Sequence, residues 1–239
     1  MSSTFIVTKR EFKSNFDSPI GYVVIALSLL VVGAFSFNDF FTANRASLQQ
    51  LLFYLPWALA VFVIPAITMR LFSEEKRTGT LELLITMPIR DREVVLGKYL
   101  ASLGLIAVLI ALTITYPISI SWLLGPLDWG PVGAGYLGLL LYASASIAIG
   151  LYYSSITQNQ VVALMLTSVT LFVLHALDFL ARLAGTSIIG DAIRFISFQS
   201  RLTPFTRGLI DLRHVFYFGS VTAFFLMLTI RQLESRKWK

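Results

Sequence analysis

Apolar residues run along this chain in blocks longer than a soluble core helix or strand requires. No Asp, Glu, Lys or Arg interrupts Ile20 to Phe37, Leu48 to Met69, or Tyr99 to Leu124, where Gly125-Pro126 forms a breaker. A bilayer core about 30 Å thick takes roughly 20 apolar residues of helix, so each block is the length of one crossing. A fourth uncharged block, Trp129 to Leu177, covers 49 residues and is about twice what one crossing uses. It must turn back once, and the polar cluster Ser154-Ser155-Ile156-Thr157-Gln158-Asn159-Gln160 is the place for the turn. The pattern therefore predicts spans near 132–153 and 161–180, with a short sixth span from Val215 to Ile230.

Composition supports a bilayer-embedded chain. Of 239 residues, 56% are hydrophobic and 13% charged, about half the usual globular share of charge. With six spans both termini lie on one side. Thirteen of the 19 Lys and Arg residues then share that side, which the positive-inside rule makes cytoplasmic. The opposite side keeps Arg45 and five arginines within 181–213: Arg182, Arg194, Arg201, Arg207 and Arg213. That segment also carries Asp191, Asp211 and apolar pairs, so it is read as short amphipathic helices. The basic excess is dispersed between apolar runs, which argues against a nucleic-acid partner.

The first apolar run begins only at Ile20 and is too long for a cleaved leader, so the first span is expected to persist. Ahead of it, Phe5, Phe12 and Phe16 fall near one helical face, with Lys9 and Lys13 on another. This predicts an interfacial helix over 1–18, with a disordered basic arm as the alternative, and Pro19 marks a bend into the membrane.

Catalytic and nucleotide chemistry is sparse. Cysteine is absent and histidine is limited to His175 and His214; no HExxH, GxSxG or GxxxxGK[ST] motif occurs. No catalytic residue and no metal site is predicted, and nucleotide energy must arrive through a partner. In the fifth span His175, Asp178 and Arg182 are spaced three and four apart and share a helix face. Two readings stay open for this polar cluster: an ion pair at the outer end of the span, or a proton or substrate role. Pro56 and Pro65 in the second span permit bending. Ser144, Ser146, Ala148 and Gly150 in the fourth permit close packing.

The segment 70–98 is the most informative. Ten of the chain's 32 charged residues lie between 70 and 93. Gly79 breaks the charged run, Thr80 can cap a helix with Leu81, Leu84 and Ile85 on one face, and Pro88 stops it. A short, partly apolar helix at the inner surface is an element that a soluble partner could grip; the alternative is an ordinary solvated loop.

The string FSEEKRTGTLELLITMPI (72–89) resembles the coupling segment of ABC-2 type transporter permeases. FDSPIGY (16–22), Pro56-Trp57, IPAITMR (64–70), AIGL (148–151) with Asn159-Gln160, and TRGLIDLR (206–213) look like a narrower subgroup, the gliding-motility-associated ABC permease subunit. The resemblance spans nearly the whole chain. It implies an all-α integral membrane protein of six transmembrane helices with an amphipathic N-terminal helix, in the ABC-2 (type V exporter-like) permease fold. It implies one permease domain over 1–239, pairing of two permease subunits as a homo- or heterodimer, and a separate ABC ATPase that carries ATP and Mg. No cofactor would be bound by this chain. The ATPase would dock beneath the loop containing Glu74, Glu75, Gly79, Thr80, Glu82 and Pro88. Glu74, Glu75 and Glu82 would make polar contacts, and Leu81 and Leu84 an apolar grip. An auxiliary membrane subunit with a large extracytoplasmic domain often accompanies such permeases, and the setting would be a bacterial cytoplasmic (inner) membrane.

The function expected is therefore a permease subunit coupling ATP hydrolysis to export. A different class of function is force transmission to an extracytoplasmic partner without solute movement, with 181–213 as the docking surface. An enzyme lacks a catalytic constellation here, and an ion-driven transporter lacks intramembrane carboxylates other than Asp178.

Overall fold

A computed structural model describes residues 3–17, 19–43, 49–80, 90–124, 127–185 and 187–235, and these are helical with no strand among them. In chain order the helices are α1 (Ser3–Asp17), α2 (Pro19–Ala43), α3 (Gln49–Ala58), α4 (Ile64–Thr68), α5 (Ser73–Arg77), α6 (Asp91–Leu112), α7 (Thr115–Leu124), α8 (Trp129–Ile156), α9 (Gln160–Leu183), α10 (Ile188–Ile196), α11 (Phe198–Thr206) and α12 (Leu212–Glu234). By length and composition five helical stretches can cross a bilayer: Leu51–Arg77, Asp91–Trp122, Trp129–Ile156, Gln160–Leu183 and Leu212–Glu234. The pair α1 and α2, bent by 69°, makes a sixth when counted as one span.

The centre of the molecule is α8. In its most apolar window 72% of residues are buried, against 22% in α9 and in α12. Buried Ala143, Ala145, Ser146, Ala148 and Gly150 keep the α8 surface low, so α12, α6, α4, α9 and α11 approach closely. Thr68 of α4 lies so near Gly150 that a Cβ there would collide with its Oγ1. Polar caps open the long helices: Asp128 for α8, Asn159 for α9 and Asp211 for α12 each accept a first-turn amide at 2.8–3.0 Å. The turn between α8 and α9 is consequently short and falls at Thr157–Asn159.

Prolines set the irregularities of the second and third spans. Pro65 has no N–H for the Val61 carbonyl one turn back, and a π-turn, Leu59–Val63, leads into α4. The Ser168 hydroxyl of α9 donates to that carbonyl at 3.1 Å, and the Tyr142 hydroxyl of α8 donates to the Pro56 carbonyl at 3.2 Å. Pro117 likewise deprives the Thr113 carbonyl, and the chain breaks between α6 and α7. The Tyr116 amide takes over that carbonyl at 3.0 Å. The third helical stretch begins at Asp91, eight residues before the Tyr99 boundary expected from charge alone; there the Arg90 amide donates to Glu93 Oε2 at 3.2 Å and closes the first turn.

Candidate functional site

Helix α1 does not lie apart from the bundle; it packs along α6. Gly97 and Gly104 form its seat. A Cβ on Gly97 would meet Val7 Cγ1 at 2.6 Å, and one on Gly104 would meet the Phe12 ring at 3.2 Å. Phe12 and Phe16 are half-buried while Phe5 is exposed, so the three phenylalanines expected on one face are divided between the bundle and its outside.

This packing brings together charges distant in sequence. Lys98 of α6 is 2% exposed. Its Nζ lies 2.7 Å from Glu75 Oε1 and 3.4 Å from Glu11 Oε1, and it sits 5.4 Å from the centroid of the Phe72 ring. Arg10 also pairs with Glu11, at 3.0 Å. One buried ammonium thus ties α1 and α5 to the entry of the third span. The Glu75 Oε2 atom is buried and has no hydrogen-bond partner among the described residues.

A second knot fixes the turn between α4 and α5 to the end of α8. Ser154 Oγ accepts the Phe72 and Ser73 amides at 3.0 and 3.2 Å and donates to the Met69 carbonyl at 3.0 Å. A hydroxyl has one donor and two acceptor positions, so Ser154 is fully used. Lys76, also buried, donates to the Ser155 carbonyl at the C-terminal end of α8, where the helix dipole favours a cation. Beyond α5, Gly79 adopts φ +73°, the left-handed conformation in which glycine ends a helix. Thr78 Oγ1 donates back to the Glu74 carbonyl at 2.9 Å, and Thr80 is exposed beside it.

The expected coupling residues separate accordingly. Glu74 is exposed, as a docking contact must be. Glu75, its neighbour on α5, is turned in toward Lys98, because consecutive residues of a helix point about 100° apart. Leu81, Glu82, Leu84 and Pro88 lie outside the described residues.

At the far end of the bundle the polar cluster is also divided. Arg182 Nη2 pairs with Asp178 Oδ2 at 2.7 Å, and the Ser200 hydroxyl of α11 donates to Asp178 Oδ1 at 2.5 Å. His175 takes no part. It is buried one turn deeper, its ring 4.3 Å from that of Trp57 and 5.9 Å from that of Tyr142. The arginines of 181–213 are partly consumed by the protein itself. Arg201 stacks on Phe195 and Tyr217 at 4.4 and 5.1 Å, and Arg194 donates to the Gly185 carbonyl at 3.1 Å.

Among the described residues no group of three or more His, Asp or Glu side chains is placed to hold a metal ion. Sequence reading missed Lys98, Glu11, Ser154 and Lys76. The available signal was a lysine directly ahead of a long uncharged run, together with the one acid before Asp17 in the N-terminal arm.

Several helical stretches long and apolar enough to cross a bilayer define a multi-pass membrane protein. A family model described as ABC-2 family transporter protein matches residues 9–230, and the chain belongs to that family. It is accordingly a permease component of an ABC transporter, a class that in general works with an ATPase partner and as paired permeases. No curated protein matches the chain.

Proposed function

We propose that this permease couples ATP hydrolysis by a separate ATPase subunit to export across a bacterial cytoplasmic membrane. In this reading the chain crosses six times, α2 being the first span. Both termini and the segment 70–98 face the cytoplasm, and α10 and α11 lie outside. The narrower likeness to gliding-motility-associated permeases, with an auxiliary extracytoplasmic subunit, belongs to the same proposal. The observation that carries it is the Lys98 junction. A push delivered to α5 or to the chain beyond Gly79 meets a side chain rooted in the third span and tied to α1.

The mechanism follows from that connection. Closure of two ATPase subunits displaces the segment around Glu74, Thr80, Leu81, Glu82 and Leu84. The Glu75–Lys98 pair and the Ser154 knot pass the displacement to α6 and α8, and the interface between paired permeases changes access from one side to the other. Docking alone shifts nothing, so the nucleotide-bound ATPase must favour a different position of this segment than the nucleotide-free one. The test uses the complex purified with its ATPase. Glu82→Lys should leave the permease in the membrane and abolish its stimulation of ATP turnover. Unchanged turnover would remove Glu82 from the contact, and an active particle without an ATPase would remove the whole proposal.

A further inference from the structure

Between the outer part of α3 and α9, with α11 behind, lies a cavity of about 400 Å³ lined by Phe53, Trp57, His175, Asp178, Phe179 and Gln199, among others. Its floor is short of partners. His175 is 1% exposed and Gln199 is 6% exposed, yet among the described residues neither imidazole nitrogen nor Gln199 Oε1 makes a hydrogen bond of ordinary geometry. Gln199 adjoins the ring. Turning the imidazole toward it would pair one nitrogen and still strand the other. A buried polar atom without a partner is costly, and such groups in native proteins are normally satisfied. The rim is apolar and faces outward, with Phe179 65% and Phe53 43% exposed. At the mouth, Asp178 and Arg182 cancel each other's charge.

We infer that this cavity binds an amphiphile entering from the lipid, one that carries a hydroxyl or a secondary amide where its apolar chain meets its head. A neutral imidazole offers one donor and one acceptor, and Gln199 Oε1 offers a further acceptor. A hydroxyl or amide supplies both the donor and the acceptor that these require; an ester supplies acceptors only. The depth agrees. His175 lies seven residues below Arg182, roughly 10 Å along the helix axis, just beyond the polar layer of about 5–8 Å on each side of a bilayer core. A head beside Arg182 therefore places the junction of head and chain at His175. The net neutrality of the mouth selects for no charge on the head. The inference stands on the cavity alone and needs neither an ATPase nor the coupling scheme above.

Trp57, against the His175 ring, is the reporter. The full chain with Trp122→Phe, Trp129→Phe and Trp238→Phe keeps it as the single tryptophan. Titration in micelles with a dibromostearoyl monoglyceride should quench its fluorescence saturably. Dibrominated methyl stearate, which lacks a donor, should bind about 5- to 10-fold more weakly, the equivalent of one hydrogen bond. In His175→Leu that preference should fall to within about twofold; should this variant fail to fold, Gln199→Met must narrow it in the same direction. Equal quenching by both probes, no saturable quenching, or a preference that survives in a folded variant would each overturn the inference. So would disulfide formation between copies through Phe179→Cys in this cysteine-free chain, because a second copy would then occupy the cavity.

Discussion

The Lys98 junction lends itself to a quantitative test. Lys98→Met removes the one cation between Glu75 and Glu11, which approach it at 2.7 and 3.4 Å. The two carboxylates remain largely buried, with 17% and 15% of their side chains exposed, and Arg10 pairs with Glu11. Removing one partner of a buried ion pair costs about 3–5 kcal/mol, because the other charge is left uncompensated. Replacing all three groups, with Glu75→Gln, Glu11→Gln and Lys98→Met together, leaves no buried charge at this junction and should restore most of the loss. Denaturant midpoints of the purified permease in detergent give the stability ranking. A double-mutant cycle on Lys98 and Glu75 should return a coupling of roughly 0.5–3 kcal/mol. The same variants, assembled with the ATPase, separate holding from transmitting. A junction that transmits motion leaves the triple variant stable but poorly stimulated, whereas one that only holds α1 in place leaves stimulation normal. An unshifted midpoint in Lys98→Met would refute the reasoning at its root.

Two further outcomes follow from the same end of the molecule. Ser154→Ala strands the Phe72 and Ser73 amides and should destabilise the permease by about 1–3 kcal/mol in the same unfolding assay; an unchanged midpoint would mean that the knot carries no weight. Glu74→Cys, the sole thiol in the variant chain, should react with a membrane-impermeant maleimide in inside-out vesicles and stay protected in right-side-out cells. The reverse pattern would invert the topology.

Much of the bundle was legible because lipid allows few ways to satisfy a helix. Uncharged blocks located the helices, and the polar cluster after Ile156 located the reversal between α8 and α9. Boundaries set by charge were less faithful. Lys98 looks like a flank of the third span, yet it is inside α6, because carboxylates 23 and 87 positions away neutralise it. No local pattern announces a pair of that separation. The spacing of His175, Asp178 and Arg182 indicated a common face but not depth: the outer two reach the mouth of the cavity, while the histidine lies a turn lower, enclosed by rings of α3 and α8. Pro56 and Pro65 signalled an irregular second span. The form it takes, a π-turn whose stranded carbonyl is met by Ser168, depends on a helix a hundred residues downstream.

The enclosure of α8 limits how two such permeases can pair. With α4, α6, α9, α11 and α12 already laid against it, α8 has little surface left to offer a second copy without first being unpacked. Any conduit formed along the seam of a symmetric pair must draw its walls from peripheral helices such as α9, whose outward faces are still bare. Those outer faces are free to vary, while change in α8 is restrained both by fit and by the hydrogen bonds of Tyr142 and Ser154.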